Sequence, residues 1–178
     1  ESQQLQALSI GGGSTVILAS GGSRAVYTKS LTLTGDTAKL DLGDNDLLVD
    51  YEEGNDPLGS FDGSAYTGIT GMIAAARNGG AWDGAGGITT SAASADYQTL
   101  GVAESSEVIG TGTALWGGET IDDTTVIVKY TYGGDATLDG KINIDDYIRI
   151  DNGIANSLTG WFNGDFNYDG KINIDDYI

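Results

Sequence analysis

The chain has no cysteine and no histidine, and a single proline among 178 residues. Without the first two it cannot build a thiolate nucleophile, a Ser-His-Asp or Cys-His triad, or a zinc site of Cys and His ligands. Basic residues are scarce as well: 8 Lys and Arg stand against 26 Asp and Glu, for a net charge of -18. Nucleic acid needs cations to displace its phosphate counterions, and an anionic bilayer surface needs them too, so both partners are excluded. No apolar run is long enough to span a membrane, and no basic segment followed by an apolar stretch opens the chain. Direct membrane insertion is therefore not expected. The missing cysteine assigns no compartment, because many exported bacterial proteins carry none. In an exported protein Glu1 would be a processed end.

What is abundant is glycine, 29 residues, accompanied by Ser, Thr, Asp and Asn. That mixture marks short strands joined by tight turns. Segments 15–20, 25–34, 38–42 and 46–51 read as strands, with Leu31 and Leu33, Leu40 and Leu42, and Leu47 and Val49 alternating with polar residues. A meander, a sandwich sheet and rungs of a β-solenoid all fit this spacing. Tyr66, Ile69, Ile73 and Ala76 recur at helical spacing, and Asn78-Gly79-Gly80 predicts the stop. A second short helix is expected around Ser91–Tyr97, and strands at 98–104 and 124–132, the latter apolar on both faces. The fold class expected is a β-rich or α+β domain of short strands with one or two short helices over residues 1–132. A small α-helical calcium module is expected over 133–178. Residues 1–13, with Leu5, Leu8 and Ile10 in a polar setting, read as a tail or an exchanging arm.

Beyond Gly133-Gly134 the composition changes and a repeat appears. DGKINIDDYI occupies 139–148 and, letter for letter, 169–178, each copy preceded by Gly-Asp at 134–135 and 164–165. Numbered from its first aspartate, the first loop offers Asp135 at position 1, Thr137 at 3, Asp139 at 5, Gly140 at 6, the Lys141 carbonyl at 7, Asn143 at 9 and Asp146 at 12. The second offers Asp165, Asn167, Asp169, Gly170, the Lys171 carbonyl, Asn173 and Asp176. Calcium takes six to eight oxygens, and a twelve-residue loop with inward odd positions and a glycine at position 6 can wrap one ion. Two calcium ions are the cofactor expected. They would bring the net charge from -18 to -14, each adding two positive charges. Mutually repelling carboxylates in an empty loop make ion binding and loop folding one event. Ile144, Tyr147, Ile148 and Ile150 predict an apolar stripe on a helix leaving the first loop.

The pattern D-x-N-x-D-G-x-x-N-x-x-D, repeated at an interval of thirty residues, resembles the type I dockerin family over residues 134–178. That resemblance implies two F-hands, each a calcium loop and one helix, packed antiparallel, with positions 10 and 11 facing a cohesin partner. Three departures stand out. Thr137 replaces the usual Asn or Asp, which predicts a weaker first site. Ile144-Asp145 and Ile174-Asp175 differ from the small or hydroxyl pairs common at positions 10 and 11, which points away from a cellulosomal cohesin. The second helix is almost absent, so either this is a shortened form or something else completes the pair. Upstream, KSLTLTGDTAKLDLGDNDLLVDY, YTGITGMIAAARNGGAWDGAGGITT and ALWGGETIDDTTVIVKYTYGG are similar in phrase and composition to the C-terminal regions of large secreted planctomycete-type proteins. Those regions commonly follow β-solenoid or lectin-like repeats. This second likeness implies secretion to the cell surface and a structural or adhesive role. It supplies no catalytic residues.

Other candidates have plainer explanations beside them. Asp41, Asp44, Asn45, Asp46 and Asp50 suggest a third calcium site, but turn chemistry accounts for them as well. Glu52-Glu53 and Glu104 with Glu107 could be glycosidase carboxylates, though neighbouring acids in so acidic a chain are usually solvated. Trp82, Trp116 and Trp161 would suit a sugar-stacking platform, whereas packing in a core is the commoner fate of tryptophan. The overall expectation is a non-enzymatic extracellular structural protein whose partners are other copies of itself or a cell-surface protein. A cohesin-like partner and a carbohydrate-binding or carbohydrate-active accessory role are the alternatives.

Overall fold

In a computed structural model covering residues 3–22, 24–93 and 97–177, the chain is a sheet-rich domain with a few short helices. It begins as a three-sided parallel coil. The first turn is β1 (Gln3–Leu5), β2 (Leu8–Ile10) and β3 (Thr15–Ile17), and the second is β4 (Ala25–Thr28), β5 (Leu31–Leu33) and β6 (Lys39–Asp41). The third consists of β7 (Asp46–Asp50) and, after a long excursion, β8 (Gly87–Thr89). Like sides stack in parallel register: Gln3 on Val26, Leu8 on Leu31, Thr15 on Lys39 and Ala25 on Asp46, a spacing of 21 to 24 residues. The three-residue strands of the coil bury at most two residues each, so the stack holds through buried aliphatic side chains, Ile10, Leu40, Leu47, Val49 and Ile88 among them.

Residues 3–10 are thus not an arm. They are two strands of the first turn, paired with 26–28 and 31–33 of their own chain. Their alternation of polar and apolar residues is that of an edge strand over a core, easily mistaken for a polar tail when the partner lies more than twenty residues away.

The excursion carries α1 (Gly68–Arg77), which buries Ile69, Thr70, Ile73 and Ala76 and ends at Asn78 in the left-handed region. Beyond β8 the chain lays β9 (Gln98–Glu104) and β12 (Thr125–Tyr132) against the first side of the coil. That sheet runs β1-β4-β7-β12-β9, with its last two strands antiparallel. Between them lie α2 (Ser105–Ile109) and a hairpin of β10 (Ala114–Trp116) and β11 (Glu119–Ile121), turned by Gly117-Gly118 at positive φ. The helix expected at 91–97 is not formed at Ser91 and Ala92, which are in a turn, and residues 94–96 lie outside the described residues. Glu104 and Glu107 instead cap α2 reciprocally.

One hydrophobic cluster runs across Gly133-Gly134. Leu100, Val102 and Leu138 belong to it together with Ile150, Trp161, Phe162, Phe166 and Tyr168. Gly101 in β9 makes the junction: a Cβ there would lie 2.7 Å from Trp161 Nε1 and 2.7 Å from Leu138 Cδ2. The tail of the chain comprises α3 (Ile144–Asn156) and two 3-10 turns, Trp161–Asn163 and Ile174–Asp176.

Candidate metal centres

The two repeats adopt the same backbone. Position 4 is left-handed in both, Leu138 at φ 59° and Tyr168 at 62°, and so is the glycine at position 6, Gly140 at 85° and Gly170 at 80°. Position 9, Asn143 or Asn173, is extended and caps the helical turn that follows. The position 12 aspartate accepts in turn from the backbone N–H of that asparagine, at 2.9 Å from Asn143 and 3.0 Å from Asn173. Identical short-range sequence has yielded identical short-range structure.

The first aspartate of each loop lies at its centre. Asp135 Oδ1 accepts from the Asp139 N–H at 3.0 Å and Oδ2 from the Gly140 N–H at 2.9 Å. Asp165 matches this, with the Asp169 N–H at 3.2 Å and the Gly170 N–H at 2.9 Å. The last aspartate closes each loop: Asp146 Oδ1 accepts from the Thr137 N–H and hydroxyl, both at 3.0 Å. Asp176 Oδ1 accepts from the N–H groups of Phe166 at 2.9 Å and Asn167 at 3.3 Å. Position 5 differs, because Asp139 and Asp169 are exposed and turn to the N–H of Lys141 and Lys171, each at 2.8 Å. Asn143 and Asn173 accept at Oδ1 from the N–H of Asp145 and Asp175. Among the described residues no three acidic side chains already stand together as a closed metal cage.

The electrostatics nevertheless suit a cation. Asp135, Asp146, Asp165 and Asp176 are 0–1 % exposed, and among the described residues none has a Lys or Arg within ion-pair distance. Buried carboxylates without a counter-charge are costly. Burial pushes the carboxyls of Asp135, Asp165 and Asp176 up, against the pull of the hydrogen bonds they accept. A hard divalent ion would relieve that cost. The donors that the repeats offer are all oxygens: the carboxylates, the Thr137 hydroxyl or Asn167 amide, and the carbonyls of Lys141 and Lys171. The residues present fit calcium.

Groups outside the repeats also enter the loops. Thr131 donates its hydroxyl to Asp135 Oδ2, and Tyr66, 99 residues upstream, donates to Asp165 Oδ2. Lys129 Nζ donates to the Leu138 carbonyl at 2.6 Å and Arg77 to the Asn167 carbonyl at 3.0 Å. Sequence reasoning missed all four. Thr131 lies one turn of chain before Asp135 and was within reach of it; nothing local marks Tyr66 or Arg77.

Elsewhere the plainer readings hold. Asp41 accepts from the N–H of Gly43 and Ser91, Asp44 from Gly21, and Asp46 from Trp116 Nε1 and the Tyr130 N–H. Each of these carboxylates accepts from a different set of protein N–H groups. Trp161 is buried against Phe166 and Tyr168, so the three tryptophans make no exposed platform. The stripe expected on α3 is mostly open: Ile150 is buried, but Ile144, Tyr147 and Ile148 are exposed. The segment facing it offers a single 3-10 turn, reaching α3 through Tyr177 and Asp151 at 3.0 Å.

No family model matches the chain, and no match is found among curated proteins or among solved structures.

Proposed function

We propose that this is a non-enzymatic, extracellular calcium-binding structural protein whose C-terminal repeats form a dockerin-like pair of loops, each holding one ion. The observation that carries the reading is the pair of buried aspartates at positions 1 and 12 of two loops alike in backbone, none of them, among the described residues, in a salt bridge with Lys or Arg. Millimolar calcium outside a cell saturates even modest sites, so the ions act as constant staples rather than signals. Titration of calcium into chelator-stripped protein in a calorimeter tests this. Two ions per chain and a raised thermal midpoint are expected. No binding heat, together with an unmoved midpoint, sinks the reading.

Assembly at a surface or in a fibre has its support at the other end of the molecule. Among the described residues nothing pairs with the outer edges of β1, β2 or β3, and Leu5, Leu8 and Val16 are only partly buried at that open end of the coil. Bare strand edges over apolar side chains favour strand addition. Light scattering at rising concentration should give a growing mass, reduced by proline at Gln4, Ser9 and Val16. A constant monomer mass counts against assembly.

Docking on a protein partner is the second reading. Ile144 and Ile174, at the same position in the two repeats, are 68 % and 77 % exposed, and Tyr147, Ile148 and Tyr177 are exposed near them in sequence. An apolar surface of this kind suits a partner groove. Capture from a native envelope, lost on replacing Ile144 and Ile174 by Asp, would favour this reading over self-assembly.

A further inference from the structure

The first aspartate of each loop accepts three hydrogen bonds in the same arrangement, and only two of them come from the loop. The third is a hydroxyl on Oδ2, supplied by β12 in one case, from Thr131, and by the segment leading into α1 in the other, from Tyr66. Both donors are buried. The Tyr66 oxygen also accepts from the Gly160 N–H at 2.7 Å, so its one proton is committed to Asp165. Each loop additionally receives one cationic side chain on a carbonyl, Lys129 on Leu138 and Arg77 on Asn167. The chain therefore supplies each loop with the same two kinds of outside donor, a hydroxyl on the first aspartate and a cation on a loop carbonyl, from segments with no sequence likeness.

We infer that Thr131 and Tyr66 are positioning residues for the two calcium sites, each holding the first aspartate of its own loop in the orientation that receives the ion. The inference rests on the calcium reading above. A carboxylate that binds metal through part of its lone-pair set is steered by the hydrogen bonds on the remainder, and loss of such a partner typically costs 10–100-fold in affinity. Tyr66 also carries the ion's effect outward. Its ring packs on Phe61 at 5.2 Å and Tyr168 at 6.3 Å between centroids, so order in the second loop is order in the segment ahead of α1.

The test is a calcium titration of the whole chain followed by amide NMR, with Tyr66→Phe and Thr131→Val as variants. Both substitutions keep the shape of the buried side chain and remove the hydroxyl. The Gly140 and Gly170 N–H groups each bond to their own loop's first aspartate and so report the two loops separately. Tyr66→Phe should raise the calcium midpoint read at Gly170 by about tenfold and leave that at Gly140 in place, and Thr131→Val should do the reverse. General loosening of the protein would move both midpoints in both variants, and that result overturns the inference. So does an unmoved Gly170 midpoint in Tyr66→Phe. If neither glycine responds to calcium in the unaltered chain, the calcium reading itself falls and takes this inference with it.

Discussion

Gly140 and Gly170 hold the same place in their loops, yet their surroundings differ. Both are left-handed, where an L side chain costs roughly 1–2 kcal/mol. A Cβ on Gly140 would meet only the flexible end of Lys129, at 3.4 Å, whereas on Gly170 it would fall 2.2 Å from the Phe61 ring. Overpacking of that kind adds about 1–3 kcal/mol. Gly170→Ala should therefore lower the denaturant midpoint well beyond Gly140→Ala; equal losses would mean that Phe61 yields freely. Glu104 offers a second residue-level prediction. Burial chiefly, with Asp56 and Glu107 near it, pushes its carboxyl up to about 8, against the hydrogen bond it accepts from Tyr51 at 2.8 Å. A carboxyl raised on folding favours the folded chain below its ordinary value of 4.5, and the benefit is lost as pH rises through about 8. With calcium held in constant excess, the thermal midpoint should fall across this window. Glu104→Gln should flatten the fall, and a parallel decline in that variant would refute the assignment.

At the scale of elements, α3 sets two rules against each other. Gly153 sits inside the helix, and Ala there should gain about 1 kcal/mol of helix propensity. Its Cβ, however, would lie 2.2 Å from the Asn163 carbonyl oxygen and 2.5 Å from Ile172 Cδ1, and a backbone carbonyl cannot step aside as a side-chain end can. Packing wins, so Gly153→Ala should destabilise despite its better propensity. A stabilised variant in chemical denaturation would show that the crossing of α3 with the second loop is looser than drawn. The coil shows the same precedence of packing over local preference. Three-residue strands have little stability alone, and β1, β2 and β3 persist by stacking on the turn beneath them.

The whole molecule shares one core across the sequence change at Gly133. Trp161 and Tyr168 pack with Leu100 and Leu138, Trp161 Nε1 donates to the Asp135 carbonyl at 2.8 Å, and the Tyr168 hydroxyl to the Leu100 carbonyl at 2.7 Å. Calcium bound at the loops should stabilise this core, by about 2.7 kcal/mol per site at a hundredfold excess over the dissociation constant. Chelator should accordingly lower one main unfolding transition, followed by near-ultraviolet signal from Trp161. Two separate transitions, with only a minor one moving in chelator, would show that the repeats melt apart from the coil.

The shared backbone of the two repeat loops was legible because it is set within twelve residues, where spacing and the position 6 glycine dictate the path locally. β9, β12 and α1 with its Asn78 stop were legible for the same reason: periodicity and capping act over neighbouring residues. Which strands pair was not legible. Short alternating strands serve a meander as readily as a coil, and the choice was made by aliphatic side chains meeting at intervals of 21 to 24 residues. Nor could sequence place Tyr66 against Asp165, 99 residues on, or reveal that the α3 stripe stays largely uncovered. Sequence determined how each segment turns and which donor groups it carries. The tertiary structure decided which distant groups share its burial, because that depends on how the whole chain removes its apolar surface from water.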